Sequence, residues 1–148
     1  MQSSRQYKWD KRFLELAEHI SLWSKDPSTK VGSIITDGGN RIVSVGYNGL
    51  PAYVQDDEEV LNNREEKYKF IIHAEMNALL TAAKDVVGYT IYTYPFLPCP
   101  NCASMLIQAG IMRVVSYRCV NDQWMDRLAD SKSIFSKADI EVVELDPK

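Results

Sequence analysis

The chain has 148 residues, 45% hydrophobic and 25% charged, the length of one ordinary domain with enough apolar material for a single sizeable core. Seventeen Lys and Arg against twenty Asp and Glu leave a net charge of −3, so no overall positive field exists to gather nucleic acid or an anionic membrane surface. The first residues are polar and no later run approaches the roughly 18 apolar residues that a bilayer crossing needs. A soluble cytoplasmic chain without an export signal is therefore expected. Its three cysteines, Cys99, Cys102 and Cys119, are an odd number, and the first two are too close to staple distant parts of a fold, which suits a reducing compartment. With no repeat and no low-complexity linker, residues 1–148 read as one domain.

From Trp9 to Ser24 the apolar residues Phe13, Leu14, Leu16, Ala17, Ile20 and Trp23 fall mostly three or four apart, which predicts an amphipathic helix. Val31 to Thr36 and Arg41 to Gly46 are β-rich, and Asp37, Gly38, Gly39 and Asn40 between them can supply the positive-φ residues of a hairpin turn. Tyr47 to Asn63 lacks apolar periodicity and reads as a long loop with at most a helical turn. Ala74 to Lys84 predicts a helix, Tyr89 to Tyr94 a strand, Ala103 to Ala109 a short helix and Arg113 to Tyr117 a further strand. A helical pattern around Trp124, Met125 and Leu128 and a strand from Ile140 to Leu145 close the series. The order implies a three-layer α/β/α fold on a mixed sheet of about five strands, the first two antiparallel and the later ones mostly parallel.

The densest chemical signal is His73-Ala74-Glu75 opening one helix and Pro98-Cys99-Pro100-Asn101-Cys102 opening the next. One imidazole and two thiolates fill three positions of a zinc tetrahedron and leave the fourth open, as in a catalytic site. A lone C-x-x-C is ordinarily a structural knuckle or a redox pair. A structural site needs a fourth protein ligand, for which His19 and Cys119 are thin candidates, the one reading as solvated and the other as a small buried hydrophobe. A redox pair leaves His73 and Glu75 unexplained. H-x-E followed by P-C-x-x-C is the signature of zinc deaminases, in which the Glu carries protons and does not bind metal. On that reading Glu75 takes a proton from a zinc-activated water and delivers it to an aminated base, which loses ammonia.

The chain resembles the deoxycytidylate (dCMP) deaminases of the cytidine deaminase-like fold. The resemblance covers about residues 9–118 and rests on His73 to Ala78, Pro98 to Ala103, Ser24-Lys25, Val31-Gly32 and Gly46-Tyr47-Asn48-Gly49 followed by Pro51. It implies conversion of dCMP to dUMP, with Asn48 at the deoxyribose, Ser24 and Lys25 at the 5′-phosphate and Ala74 against the substrate. An aromatic residue lining the nucleotide site would be Tyr117 or Trp124. It further implies a homo-hexamer activated by dCTP and inhibited by dTTP, each with Mg²⁺, the effector meeting Gly46, Tyr47, Gly49 and Arg64. One Zn²⁺ per chain is expected. Rival readings are a tRNA adenosine deaminase, disfavoured by the acidic balance, a nucleoside, pterin or riboflavin-pathway deaminase, and a non-enzymatic zinc-binding module.

Overall fold

A computed structural model describes residues 3–147. Ser3 caps the first helix, its Oγ accepting from the Gln6 N–H; α1 therefore starts well before Trp9 and spans Ser4–Ser21. The hairpin follows as β1 (Gly32–Thr36) and β2 (Ile42–Tyr47). In its turn Asn40 alone among the four turn residues adopts positive φ, at 60°. The two glycines do without it because Asp37 Oδ1 accepts from the N–H groups of Gly39 and Arg41 and fixes the turn through a side chain.

The expected loop from Tyr47 to Asn63 holds one short helix, α2 (Glu58–Asn62), and a second, α3 (Arg64–Phe70), follows in a stretch to which the sequence reading gave no element. Each is started by a side-chain cap, Asp57 onto Glu59 N and Asn63 onto Glu66 N. Then come α4 (Ala74–Ala82), β3 (Thr90–Tyr94), α5 (Pro100–Gln108), β4 (Arg113–Tyr117), α6 (Asp122–Lys137) and β5 (Glu141–Leu145). Helix α5 begins three residues earlier than the sequence suggests, with Pro100 in its first turn, where a missing N–H costs nothing.

The sheet runs β2-β1-β3-β4-β5. Strand β1 pairs antiparallel with both β2 and β3, while β3–β4 and β4–β5 are parallel. Alternate residues send Ile34, Tyr92 and Val115 to the face covered by α1, where they meet Phe13, Leu14, Ala17 and Ile20. Ile35, Ile91 and Val114 point the other way, onto Ala78, Ala103, Leu106 and Phe135 of α4, α5 and α6. The result is the expected α/β/α arrangement, each fully buried aliphatic side chain contributing about 1.5–3 kcal/mol. No helix among the described residues is long and apolar enough to cross a membrane.

Candidate metal centre and its cleft

The N-cap residues of α4 and α5 are His73 and Cys99, and neither side chain caps its own helix. Both turn instead toward each other and toward Cys102 in the first turn of α5. His73 Nδ1 lies 3.2 Å from Cys102 Sγ and 3.5 Å from Cys99 Sγ. All three ligand atoms fall within 4.8 Å of one another, and they form the one such cluster of three His, Cys, Asp or Glu side chains among the described residues. A tetrahedral zinc with bonds of about 2.3 Å to sulfur and about 2.0 Å to nitrogen sets its ligands roughly 3.5–3.8 Å apart. The residues present fit zinc, and His73 and Cys99 among them line a cleft.

Glu75, the second residue of α4, stands outside that ligand set. It is 4% exposed and its Oε1 has no hydrogen-bond partner. Burial is the chief cause that pushes its pKa up to about 7. The Cys102 thiol donates toward Cys99 and, with His73, lowers the Cys99 pKa to about 3, whereas Cys102 itself is raised by that same contact and by burial. Thiolate is thus already favoured where the metal would sit.

Around the centre opens a cleft of about 690 Å³ whose walls include Asn48, Ala74, Arg64, Phe96, Trp124 and Arg127. Phe96 and Trp124 stand with ring centroids 5.8 Å apart. Of the two aromatic candidates, Trp124 lines the cleft, beside Phe96 and Tyr68, while Tyr117 packs with the α1-side core. Asn48 is 7% exposed and its side chain is engaged by the chain itself, Oδ1 accepting from Val31 N (2.9 Å) and Nδ2 donating to Thr29 O (2.8 Å). Ser24 lies behind the wall, its Oγ donating to Asn48 O at 2.7 Å. Lys25 is exposed, is paired with Asp56 and is not among the cleft's lining residues.

Gly46, Tyr47, Gly49 and Arg64 each have a different setting. A Cβ on Gly46 would fall 2.4 Å from Ala74 O and 2.5 Å from Ala78 N, so the absent side chain is what lets β2 press against α4. Tyr47 is exposed and meets Trp23 edge-on at 6.1 Å. Gly49 bridges to Ile72 through two backbone hydrogen bonds. Arg64 lines the reaction cleft, its Nε donating to Tyr68 Oη at 2.9 Å. Sequence reasoning missed Asp26, Lys67, Phe96 and Arg127 as wall residues. The spacing of Arg64, Lys67, Tyr68 and Ile71 was a legible helical face, but it is turned to the cleft and carries too little apolar character to stand out. Cys119, expected in the core, is half-buried with its Sγ 3.4 Å from Asn121 O.

The model of the cytidine and deoxycytidylate deaminase zinc-binding region matches residues 7–118. An uncharacterized deaminase of Aliivibrio fischeri, from the luxG 3′ region, is 46% identical over 141 residues, 93% of this chain and 94% of that protein. The human deoxycytidylate deaminase is 33% identical over 148 residues, 95% of this chain and 81% of that one. The structure of a dCMP deaminase from cyanophage S-TIM5 in complex with dCMP and dUMP superposes with a TM-score of 0.76 over 98% of this chain and 100% of that one, at 24% identity, a likeness of fold. With a three-ligand centre and a buried carboxylate at its helix starts, the chain belongs to the cytidine and deoxycytidylate deaminase family and is a hydrolytic enzyme of that class.

Proposed function

We propose that residues 1–148 act as one zinc-dependent deaminase domain that converts dCMP to dUMP and ammonia. The observation that carries the reading is Glu75: a buried carboxylate with a free oxygen, beside three metal-ligating side chains, at the floor of a cleft of nucleotide size. His73, Cys99 and Cys102 would hold a zinc ion, which when bound would lower the pKa of a water from about 15.7 toward about 7. Glu75 Oε1 takes the proton that this water gives up and passes it to the ring nitrogen next to the carbon under attack. Glu75 then carries the proton of the newly added hydroxyl to the amino group, so that the C–N bond breaks, ammonia leaves and the ring carbon keeps a carbonyl. A carboxyl pushed up to about 7 suits a group that must both accept and return a proton near neutrality. Phe96 and Trp124 give the planar base an apolar wall. The named relatives that act on dCMP support the choice of substrate.

Arg64 is the cation assigned to the 5′-phosphate, because it lines the cleft whereas Lys25 is held outside by Asp56. Turnover of dCMP and deoxycytidine by Arg64→Ala and Lys25→Ala tests this. Arg64→Ala should raise KM about tenfold or more for dCMP and leave the nucleoside nearly unchanged. Equal losses on both substrates, or a selective loss in Lys25→Ala alone, would move the phosphate elsewhere.

The regulatory part of the reading is a cytoplasmic homo-hexamer switched by dCTP and dTTP with Mg²⁺. Its support is the family resemblance together with the exposed Trp23–Tyr47 aromatic pair at the β2 edge, which offers a base platform and does not line the cleft. With Mg²⁺ present, dCTP should pull the dCMP saturation curve toward a hyperbola and dTTP should make it more sigmoidal. Curves indifferent to both nucleotides would leave the chemistry and remove the regulation.

A further inference from the structure

The mechanism leaves one buried ion pair unused, although it lines the cleft. Asp26 and Lys67 have side chains only 6% exposed each, and both belong to the cleft wall. Lys67 Nζ donates to Asp26 Oδ1 at 3.1 Å and to Ser28 Oγ at 3.3 Å, which uses two of an ammonium's three N–H bonds. Asp26 Oδ1 also accepts from the N–H groups of Ser28 at 2.8 Å and Thr29 at 3.3 Å. Asp26 Oδ2 is nearly idle: its hydrogen-bonding neighbour among the described residues is Asn48 Nδ2 at 3.5 Å, the outer limit of such a contact, and that amide is already committed to Thr29 O. The wall therefore presents a carboxylate oxygen with spare lone pairs beside an ammonium with a spare N–H.

A carboxylate alone would favour a cation and an ammonium alone an anion. Side by side and mutually neutralised, they match a group that donates one hydrogen bond and accepts another, which is a hydroxyl. A 2′-deoxynucleoside 5′-phosphate has one free sugar hydroxyl, at the 3′ carbon. We infer that Asp26 and Lys67 form the subsite for this 3′-hydroxyl, which donates to Asp26 Oδ2 and accepts from Lys67 Nζ. The inference rests on the reading of the substrate as dCMP. Asp26 is then a specificity-determining residue, and Ser28, Thr29 and Asn48 hold its carboxylate in place.

A site built to bond a hydroxyl rejects the analogue that lacks it, because the pair is then desolvated with nothing to satisfy it. The experiment compares kcat/KM for dCMP and for 2′,3′-dideoxycytidine 5′-phosphate in the zinc-loaded wild type, Asp26→Asn and Lys67→Met. The wild type should favour dCMP by about 10–100-fold, and each variant should shrink that ratio to within about threefold. A fold defect lowers both substrates together and leaves the ratio unchanged, so a preserved ratio in the variants overturns the assignment. So does a wild type that handles the two nucleotides alike, a result needing no variant to fold. A wild type inert toward both nucleotides but active on another aminated base would instead overturn the substrate reading, and this inference with it.

Discussion

In the proposed mechanism Glu75 separates catalysis from metal binding. Its carboxylate is buried on the first turn of α4, two residues from His73, yet it lies outside the ligand cluster. Replacing it by Gln keeps the shape and removes the proton carrier. Glu75→Gln should keep one zinc per chain and lose about 10²–10⁴-fold in kcat, read by turnover alongside metal analysis. A variant that loses zinc together with activity would make Glu75 a ligand, and one that keeps activity would remove it from the reaction. His73→Ala gives the opposite signature, with zinc lost first, because it removes one of three protein ligands. Of the residues the sequence marked, the cluster of His73, Cys99 and Cys102 was legible because metal chemistry dictates both type and spacing. Asn48 and Ser24 were equally visible as letters, but their side chains are spent on the chain itself, holding Val31, Thr29 and Asp26, a role no local pattern announces.

At the scale of elements, the close approach of β2 to α4 places the metal ligand. With Gly46 under Ala74 and Ala78, strand and helix touch through backbone, and Ser44 Oγ donates to Ala78 O at 2.7 Å to fasten the contact. A methyl at 46 has no flexible neighbour to push aside. Gly46→Ala should therefore cost about 1–3 kcal/mol and tilt the start of α4, weakening zinc retention as well as lowering the melting temperature. Unchanged zinc affinity in a destabilised variant would show that the two effects are separable. The helices α2 and α3 explain why the sequence reading stopped short here. Helices are recognised by an apolar stripe, and among the residues of these two only Leu61 and Lys67 are buried, so periodicity had nothing to report. The caps did carry a signal: Asn63 followed by Glu66 three positions on is a start motif, and Asn63 is the residue that caps α3.

Across the whole molecule, the end of the sheet where β4 begins is held by a second polar knot. Arg113 at the start of β4 forks onto both oxygens of Asp10 at 2.7 and 2.6 Å, Tyr92 Oη donates to Asp10 Oδ1 at 2.8 Å, and Arg113 also reaches Glu141. Asp10 is fully buried, so the pair ties α1 to β3, β4 and β5 in a dry setting. Asp10→Ala strands the guanidinium and should cost about 3–5 kcal/mol, seen as a lower denaturation midpoint, with kcat per folded molecule unchanged. A loss under about 1 kcal/mol would mean that water reaches Arg113 and repairs the defect.

The two hydrophobic layers that flank the sheet contain none of the metal ligands. This sets the chain apart from small zinc modules, in which the metal stands in for a core and its removal unfolds the protein. Here the core is assembled from Ile34, Ile35, Tyr92, Val114, Val115 and Phe135, all essentially inaccessible to solvent, whether or not the ligands are bridged. Zinc still stabilises by mass action, since it binds the folded site and has no preformed site in the unfolded chain. Chelation should therefore abolish turnover while the far-ultraviolet circular dichroism stays native, and melting should remain one cooperative transition at a lower midpoint. Returning zinc should restore both. A metal-free chain that loses its secondary structure at room temperature would place the metal among the supports of the fold, and the open fourth position at His73, Cys99 and Cys102 would have to be read as a structural site.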